Sequence, residues 1–273
     1  MTKVRKFVLL PLLLVFSMIF GVATFTAVAE TDIRYADPAL LAPRSSTEKI
    51  YYTNRVDKLL YNTDGLCPQF RQLNGMTNAC GAVAGAEIVA FYDKYYTELI
   101  PNWTPYYASS GLYRLQDTTY VPAVMNELYT LMRTNVDDVG VSENDFKTGL
   151  QTYVNNHGYN ISYSSVRNWL GKLNFDECKA ALDQNRVIVL FTKAGDVYDI
   201  GLDDGYDSII PTTISGAHIM VAYGYYQVEY YNANGLFRTD TYLHVALGRS
   251  VQTHAYYKID SKNLNAAYIV NVY

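Results

Sequence analysis

Apolar residues recur at intervals of three or four in several segments of the chain, and this spacing predicts amphipathic helices. The first helix follows Thr77 and Asn78, either of which is the expected N-cap. Ser142, with Asp145 three residues later, marks the start of the third helix, and Gly158 marks its end. The predicted helices span residues 79–96, 121–134, 142–158 and 175–185.

After residue 185 the pattern changes to shorter runs of β-branched and aromatic residues, which are typical of strands. The predicted strands span residues 186–193, 218–231, 236–248 and 266–273, and the Asn-Ala-Asn-Gly run at 232–235 predicts a hairpin turn. Because helices come first and an antiparallel sheet follows, the sequence predicts an α+β fold with a helical N-terminal half.

The N-terminus has the three parts of a secretory signal peptide. Lys3, Arg5 and Lys6 precede an unbroken apolar run, which the small residues Ala27-Val28-Ala29 close. The alternative is an uncleaved membrane anchor. Cleavage after position 29 is favoured, and it predicts a secreted protein, either extracellular or at the cell surface.

Three regions follow from this division of the chain. Residues 1–29 are the predicted signal peptide. Residues 30–65 show no clean periodicity and are predicted to be an extended arm or a short pro-segment. Residues 66–273 are left as the functional domain.

The composition limits the partners of the protein. With 22 basic and 26 acidic residues the net charge is −4, and loss of the signal makes the mature chain more acidic. Nucleic-acid binding needs clustered Lys and Arg, so it is not expected. No later apolar run approaches the roughly 20 residues that span a bilayer. We expect a monomer with no cofactor and no metal.

Three cysteines are too few for a disulfide scaffold, and their odd number leaves at least one thiol unpaired. Cys67 and Cys178 could pair with each other, which would leave Cys80. Cys80 stands at the start of the first predicted helix, where the positive end of the helix dipole favours a thiolate. A cysteine nucleophile also needs a base, and imidazole is the usual one near neutral pH.

His218 is the best candidate for that base. It begins a predicted strand after a Ser-Gly-Ala turn, far from Cys80 in the sequence. A purely structural role is the alternative, since histidines at strand edges are often structural. The combination with a helix-start cysteine favours catalysis.

These residues resemble a known family. Cys80-Gly81 opening a helix of small residues, Gln72 upstream, and Gly-Ala-His218 downstream are similar to secreted papain-like cysteine peptidases. The nearest branch resembles the bacteriocin-processing, double-glycine leader peptidases, and the resemblance covers roughly residues 66–260. It implies a papain-like fold in which the helical half carries the cysteine and the sheet carries the histidine.

The resemblance also implies a role for each residue. Cys80 would be the nucleophile and His218 the general base and acid, with an acyl-thioester intermediate. Gln72 and the backbone N–H of Cys80 would form the oxyanion hole. In such families an Asn or Asp orients the histidine, but Ala246 stands where Asn is expected and Arg249 where Trp is expected.

Two explanations of this departure compete. Asp240 or His244, from the same strand, could orient His218 instead. Alternatively, the site has lost part of its machinery.

An acidic segment, residues 195–208, precedes the His218 strand and holds five aspartates. It is expected to be a loop beside the cleft that favours basic residues in a peptide, with loose calcium binding as the second choice. Its spacing does not match a twelve-residue calcium loop.

A secreted cysteine peptidase is therefore the first functional hypothesis. An extracellular binding protein that retains only the cleft is the second, and an acyl or amide transferase that uses the same residues is the third. Either enzyme would need a depressed Cys80 pKa, whereas a binding protein would have an ordinary, high one.

Overall fold

A computed structural model describes residues 48–50, 54–59, 67–107, 113–136, 140–203, 206–232, 235–249 and 254–273. All of them belong to one compact unit, Asp32–Tyr273. The predicted signal peptide lies outside the described residues. It therefore stays a prediction, as does the role proposed for residues 30–65.

Four helices form where the helical spacing predicts them. They are α1 (Cys80–Tyr92), α2 (Tyr120–Leu131), α3 (Glu143–Asn156) and α4 (Phe175–Asp183). Ser142 caps α3 as expected, because its Oγ accepts a hydrogen bond from the backbone N–H of Asp145 at 3.0 Å.

The predicted N-cap of α1 is wrong. The helix begins at Cys80 after Ala79, which makes no side-chain cap hydrogen bond. Asn78 Nδ2 donates instead to Asn135 Oδ1 at 2.7 Å, and Asn135 Nδ2 donates to Thr77 Oγ1 at 3.0 Å. Both candidate caps are thus bound to a residue just beyond the end of α2.

The described residues form thirteen strands. They are β1 (Glu48–Ile50), β2 (Asn54–Leu59), β3 (Cys67–Gln69), β4 (Tyr106–Tyr107), β5 (Tyr113–Leu115), β6 (Ile161–Ser165), β7 (Ile188–Thr192), β8 (Gly195–Asp203), β9 (Tyr206–Ile214), β10 (His218–Asn232), β11 (Gly235–Ala246), β12 (His254–Lys258) and β13 (Leu264–Val272). The four predicted strands correspond to β7, β10, β11 and β13, and the predicted hairpin joins β10 to β11.

Ten strands form one antiparallel sheet in the order β1-β9-β8-β12-β11-β10-β7-β13-β6, with β2 also paired to β10. The first five residues of the long strand β10, His218–Ala222, pair with β7, and its later residues Gly224–Glu229 pair with β2. Strand β11 covers the opposite edge of β10. A small second sheet has the order β3-β5-β4.

The prediction of a helical N-terminal half, and with it the papain-like α+β fold class, is wrong. Strands β1 to β6 all precede α4, and they alternate with the first three helices. The structure is sheet-rich, with one large open antiparallel sheet and four helices. The early strands escaped notice because they are short or polar, as in the Asn-Arg-Val-Asp-Lys-Leu run of β2.

The acidic segment 195–208 is also not a loop. It forms most of a β-hairpin in which β8 pairs with β9. Asp196 is exposed on β8 while the next residue, Val197, is buried, as expected where successive residues of a strand face opposite sides of a sheet. Thr213 Oγ1 donates to Asp196 Oδ1 across the hairpin at 2.8 Å.

Helix α1 is the centre of the core, and every residue from Gly81 to Tyr92 is buried. It contacts β10, α2 and α3. A Cβ at Gly81 would lie 2.5 Å from Val141 Cγ1, and one at Gly85 would lie 2.8 Å from Met132 Cε. The small residues at these two positions therefore allow close approach of Val141 and Met132 to the helix.

Candidate functional site

A cleft of about 670 Å³ opens at the N-terminal end of α1. Its walls come from the loop before α1, the segment before α3, the turn between β9 and β10, and the residues that follow β11. The lining includes the predicted residues Gln72, Cys80 and His218. The structure thus brings together three residues that are up to 146 positions apart in the chain.

Cys80 is half-buried and is the first residue of α1. Burial raises the pKa of its thiol above the ordinary value. The backbone N–H groups of Ile219, Gly81 and Cys80 itself oppose this by hydrogen bonding to the sulfur, and the charge of Arg249 opposes it too. The net direction is upward, which contradicts the depressed pKa expected of an enzyme with a preformed ion pair.

The Ile219 contact fixes the relation of the sulfur to the candidate base. Ile219 directly follows His218 on β10, so the strand that carries the imidazole also binds the thiol through its backbone. Helix α1 and strand β10 are in contact in the core, which holds this contact in place. The cysteine and the histidine are therefore positioned by two buried elements of the core rather than by mobile loops.

His218 is buried, with 9% of its surface exposed, and burial lowers the pKa of its imidazole. Its Nε2 lies 2.7 Å from the backbone carbonyl oxygen of Leu247. Because a carbonyl oxygen can only accept, Nε2 must carry the proton, and Nδ1 of the neutral ring is then an acceptor. The neutral, basic form of His218 is the one that the structure favours near neutral pH.

The Leu247 carbonyl occupies the role expected of an orienting side chain. Ala246 offers no polar group there, but the backbone one residue later supplies the acceptor. This carbonyl takes the place of the missing Asn side chain, because it accepts the hydrogen bond that orients the ring. Unlike the carboxylate of an Asp, however, it carries no full negative charge that would stabilise an imidazolium.

Neither alternative orienting residue reaches the cleft. Asp240 lies 3.2 Å from Arg238 Nη2 and 3.5 Å from Lys258 Nζ, which are ion-pair distances. His244 is buried and stacks on Tyr256, with the ring centroids 4.9 Å apart. His218 is bonded to Leu247 instead, so the proposed role of Asp240 or His244 finds no support in the geometry.

Gln72 is held at the cleft by two hydrogen bonds. Its backbone N–H donates to the carbonyl oxygen of Gly248 at 3.1 Å, and its side-chain Nε2 donates to the carbonyl oxygen of Met76. The second bond identifies the amide nitrogen end and uses one of its two hydrogens. The other hydrogen stays available for an oxyanion in the cleft.

Two consecutive residues after β11 thus organise the site. Leu247 binds His218, and Gly248 binds Gln72. Gly248 has φ +64°, and a Cβ there would lie 2.7 Å from Val83 Cγ1 of α1. Glycine is needed at this position both for its backbone conformation and for the close approach to the helix that carries Cys80.

Glu87 was not predicted, although it is the only charged residue in the buried part of α1. It is 1% exposed, and burial raises the pKa of its carboxyl group well above the ordinary value. Its Oε1 accepts a hydrogen bond from the backbone N–H of Phe70 at 3.3 Å, and it also bonds the Tyr223 hydroxyl. A lone acid within an apolar helical run was the signal that could have revealed it.

The Tyr223 hydroxyl also donates to the carbonyl oxygen of Pro68. One hydroxyl has a single proton, so a neutral Glu87 that donates to Tyr223 satisfies the whole network. This network joins β10 and α1 to the segment that leads to Gln72. Glu87 is therefore a buried support of one wall of the cleft.

Other expectations concern groups outside the cleft. Cys67 and Cys178 are buried as thiols and do not form a disulfide. In the described part of the chain, no cluster of three His, Cys, Asp or Glu residues could hold a metal ion, calcium included. None of the helices that the structure describes is long and apolar enough to cross a membrane. Of the acidic segment, the residues that the structure describes, 195–203 and 206–208, do not line the cleft.

Comparisons with known proteins give no relative. No family model, no curated protein and no solved structure matches the chain. The resemblance to the bacteriocin-processing peptidases therefore stays a prediction from the motifs alone.

Proposed function

We propose that the protein is a secreted cysteine peptidase in which Cys80 is the nucleophile and His218 the general base and acid. The observation that carries this proposal is the bond from His218 Nε2 to the Leu247 carbonyl, in a cleft that Cys80 also lines. A buried structural histidine needs no thiol beside it. Here the strand that carries the imidazole also bonds the sulfur through the N–H of Ile219.

The proposed reaction starts from a neutral thiol and a neutral imidazole. Burial raises the pKa of Cys80 and lowers the pKa of His218, so both groups hold their uncharged forms before substrate binds. His218 Nδ1 takes the thiol proton as the sulfur attacks the peptide carbonyl carbon, which is general-base catalysis. The backbone N–H groups that hydrogen-bond to the sulfur stabilise the negative charge that develops on it as the proton leaves.

The later steps use the other groups of the cleft. The tetrahedral oxyanion accepts hydrogen bonds from the backbone N–H of Cys80 and from Nε2 of Gln72. His218 returns its proton to the leaving amine, and the C–N bond breaks to leave an acyl-thioester on Cys80. Water, activated by the same imidazole, then releases the acid. An amine in place of water would give the transferase reaction.

The test is cleavage of a mixed peptide library by the purified mature protein, followed by mass spectrometry. We expect Cys80→Ala to abolish cleavage, His218→Ala to reduce it by about 10²–10⁴-fold, and Gln72→Ala by about 10²–10³-fold. Cys178→Ala removes a buried thiol outside the cleft and is the matched control. Cleavage that survives Cys80→Ala would refute the proposal.

A second function is favoured by one observation, which is the upward shift of the Cys80 pKa. An extracellular binding protein would keep the cleft and need no thiolate. If the library is not cleaved but peptides protect Cys80 from alkylation, this second function replaces the first.

A further inference from the structure

Arg249 stands out among the residues that line the cleft. It is exposed, and among the described residues that line the cleft only Arg249 and Glu143 carry a full charge. The Glu143 carboxylate is already engaged, because Lys147 Nζ lies 2.7 Å away and the Tyr268 hydroxyl donates to it at 2.6 Å. Within the described residues, Arg249 has no such carboxylate partner.

The position of Arg249 is set by its anchored neighbour. Gly248 is buried against Val83 and its carbonyl accepts from the Gln72 N–H, so the chain leaves the core at a fixed point. From there the charge of Arg249 acts on both Cys80 and His218. The guanidinium therefore belongs to an exposed residue of the cleft lining whose charge reaches both candidate reacting groups.

Activation of the thiol does not account for this placement. A positive charge lowers the pKa of Cys80, but it lowers the pKa of His218 as well. Because proton transfer between them depends on the difference between the two values, the two effects partly cancel. An exposed guanidinium in the lining of a cleft is instead suited to bind a planar carboxylate through two hydrogen bonds.

We propose that Arg249 is a specificity-determining residue that binds a carboxylate of the substrate beside the bond that Cys80 attacks. The carboxylate belongs to an Asp or Glu side chain or to the C-terminus of a peptide. The inference rests on the proposed function for its substrate. It reverses the preference for basic residues that the acidic segment suggested, since that segment forms strands of a hairpin whose described residues do not line the cleft.

The first test does not need catalysis. Iodoacetate carries a carboxylate and iodoacetamide does not, yet both react in the same way: the Cys80 thiolate displaces iodide, a C–S bond forms and the C–I bond breaks. The thiolate fraction therefore cancels when the iodoacetate rate is divided by the iodoacetamide rate at the same pH. We expect this ratio to exceed that of free cysteine by about tenfold at low salt and to fall in strong salt.

Variants locate the effect. Arg249→Gln should return the ratio to that of free cysteine, and Arg249→Lys should retain part of it. Arg133→Gln makes the same change at an exposed arginine outside the cleft lining and should leave the ratio unchanged. A wild-type ratio no higher than that of free cysteine, or one that Arg249→Gln does not alter, would overturn the inference.

The second test identifies the source of the carboxylate. Affinities of the Cys80→Ala protein are measured for four versions of each peptide: Glu or Gln near the centre, and a free or amidated C-terminus. Tighter binding of the Glu peptides assigns the site to a side chain, and tighter binding of the free acids assigns it to a C-terminus. Either preference must vanish when Arg249→Gln is added.

These outcomes separate the two proposals. If the peptides bind through Arg249 but the wild-type protein cleaves none of them, the carboxylate site stands and the peptidase fails. If cleavage occurs with equal efficiency on acidic and neutral peptides, the peptidase stands and the carboxylate site fails. Absence of any acidic preference in both binding and alkylation would also overturn the inference.

Discussion

The 2.7 Å contact between His218 Nε2 and the Leu247 carbonyl oxygen replaces the side chain that would be expected to orient a catalytic histidine. A backbone acceptor fixes the tautomer of the ring as well as an amide would. It differs from a carboxylate because it adds no negative charge, so burial keeps the imidazole neutral. The consequence is a resting site with an uncharged cysteine and an uncharged histidine.

This resting state predicts the pH dependence of Cys80 alkylation. Because burial raises the pKa of the thiol, the rate with iodoacetamide should reach half its maximum at a higher pH than for free cysteine, whose pKa is about 8.5. Arg249→Gln should move this midpoint further upward, since the charge of Arg249 lowers the pKa. A midpoint below that of free cysteine would contradict the neutral resting state and indicate an ion pair.

The backbone conformation at Gly248 predicts a specific loss of stability. Gly248→Ala puts a Cβ on a residue with φ +64°, 2.7 Å from Val83 Cγ1. Gly158→Ala puts one on a residue with φ +88°, but with no atom within 4 Å. Both should lose about 1–2 kcal/mol from the left-handed backbone, and Gly248→Ala about 1–3 kcal/mol more from overpacking. Urea denaturation measures both values. Equal losses would show that Val83 moves aside at little cost.

The elements with regular spacing could be predicted from the sequence, and the sheet as a whole could not. Helices α2 to α4 show apolar positions at helical spacing, and α1, β7, β10, β11 and β13 are long runs of apolar, β-branched or aromatic residues, so their existence was clear. Strands β1 and β2 are short or polar and gain their place through backbone pairing with β9 and β10, which lie far along the chain. Such pairing depends on the neighbouring strand rather than on local composition.

The candidate site likewise contains some groups that could be predicted from the sequence and others that could not. Cys80 and His218 were predicted because their side chains carry the chemistry, and both do line the cleft. The orienting group could not be predicted, because a backbone carbonyl is present at every residue and leaves no mark in the sequence. Asp240 and His244 were named only because they are polar and on the same strand. Their neighbours, Lys258 and Tyr256, come from β12, whose pairing was unknown.

Replacement of the buried acid Glu87 by a neutral side chain is predicted to stabilise the protein. Its pKa is raised in the folded protein, so above about pH 4.3 the unfolded chain releases a proton that the folded chain retains, and stability falls as pH rises. Glu87→Gln keeps an acceptor for the Phe70 N–H and should therefore stabilise the protein at pH 7.

Glu87→Leu is the matched control. It also removes the titrating group, but it leaves the buried Phe70 N–H without its acceptor, which costs about 1–3 kcal/mol. We therefore expect the Gln variant to be more stable than the Leu variant at every pH. If Glu87→Gln is less stable than the wild type at pH 7, Glu87 is ionised in the fold and the neutral network is wrong.

The buried imidazole of His244 is predicted to make the folded protein less stable in acid. Burial, with a smaller contribution from the nearby His254, lowers the pKa of His244 to about 3. Between that value and the unfolded pKa of about 6.5, the unfolded chain binds a proton that the folded chain does not. Stability should therefore fall as pH falls through this window, by up to about 1.4 kcal/mol per pH unit.

Two substitutions separate this titration from packing. His244→Phe can keep the stacking on Tyr256, and His244→Asn cannot. Their stabilities at pH 7.5 should therefore differ, but both should fall less steeply than the wild type when urea denaturation is repeated from pH 6.5 down to pH 4.5. Some slope should remain, because burial also lowers the pKa of His254. Curves parallel to that of the wild type would show that His244 is not the group that limits stability in acid.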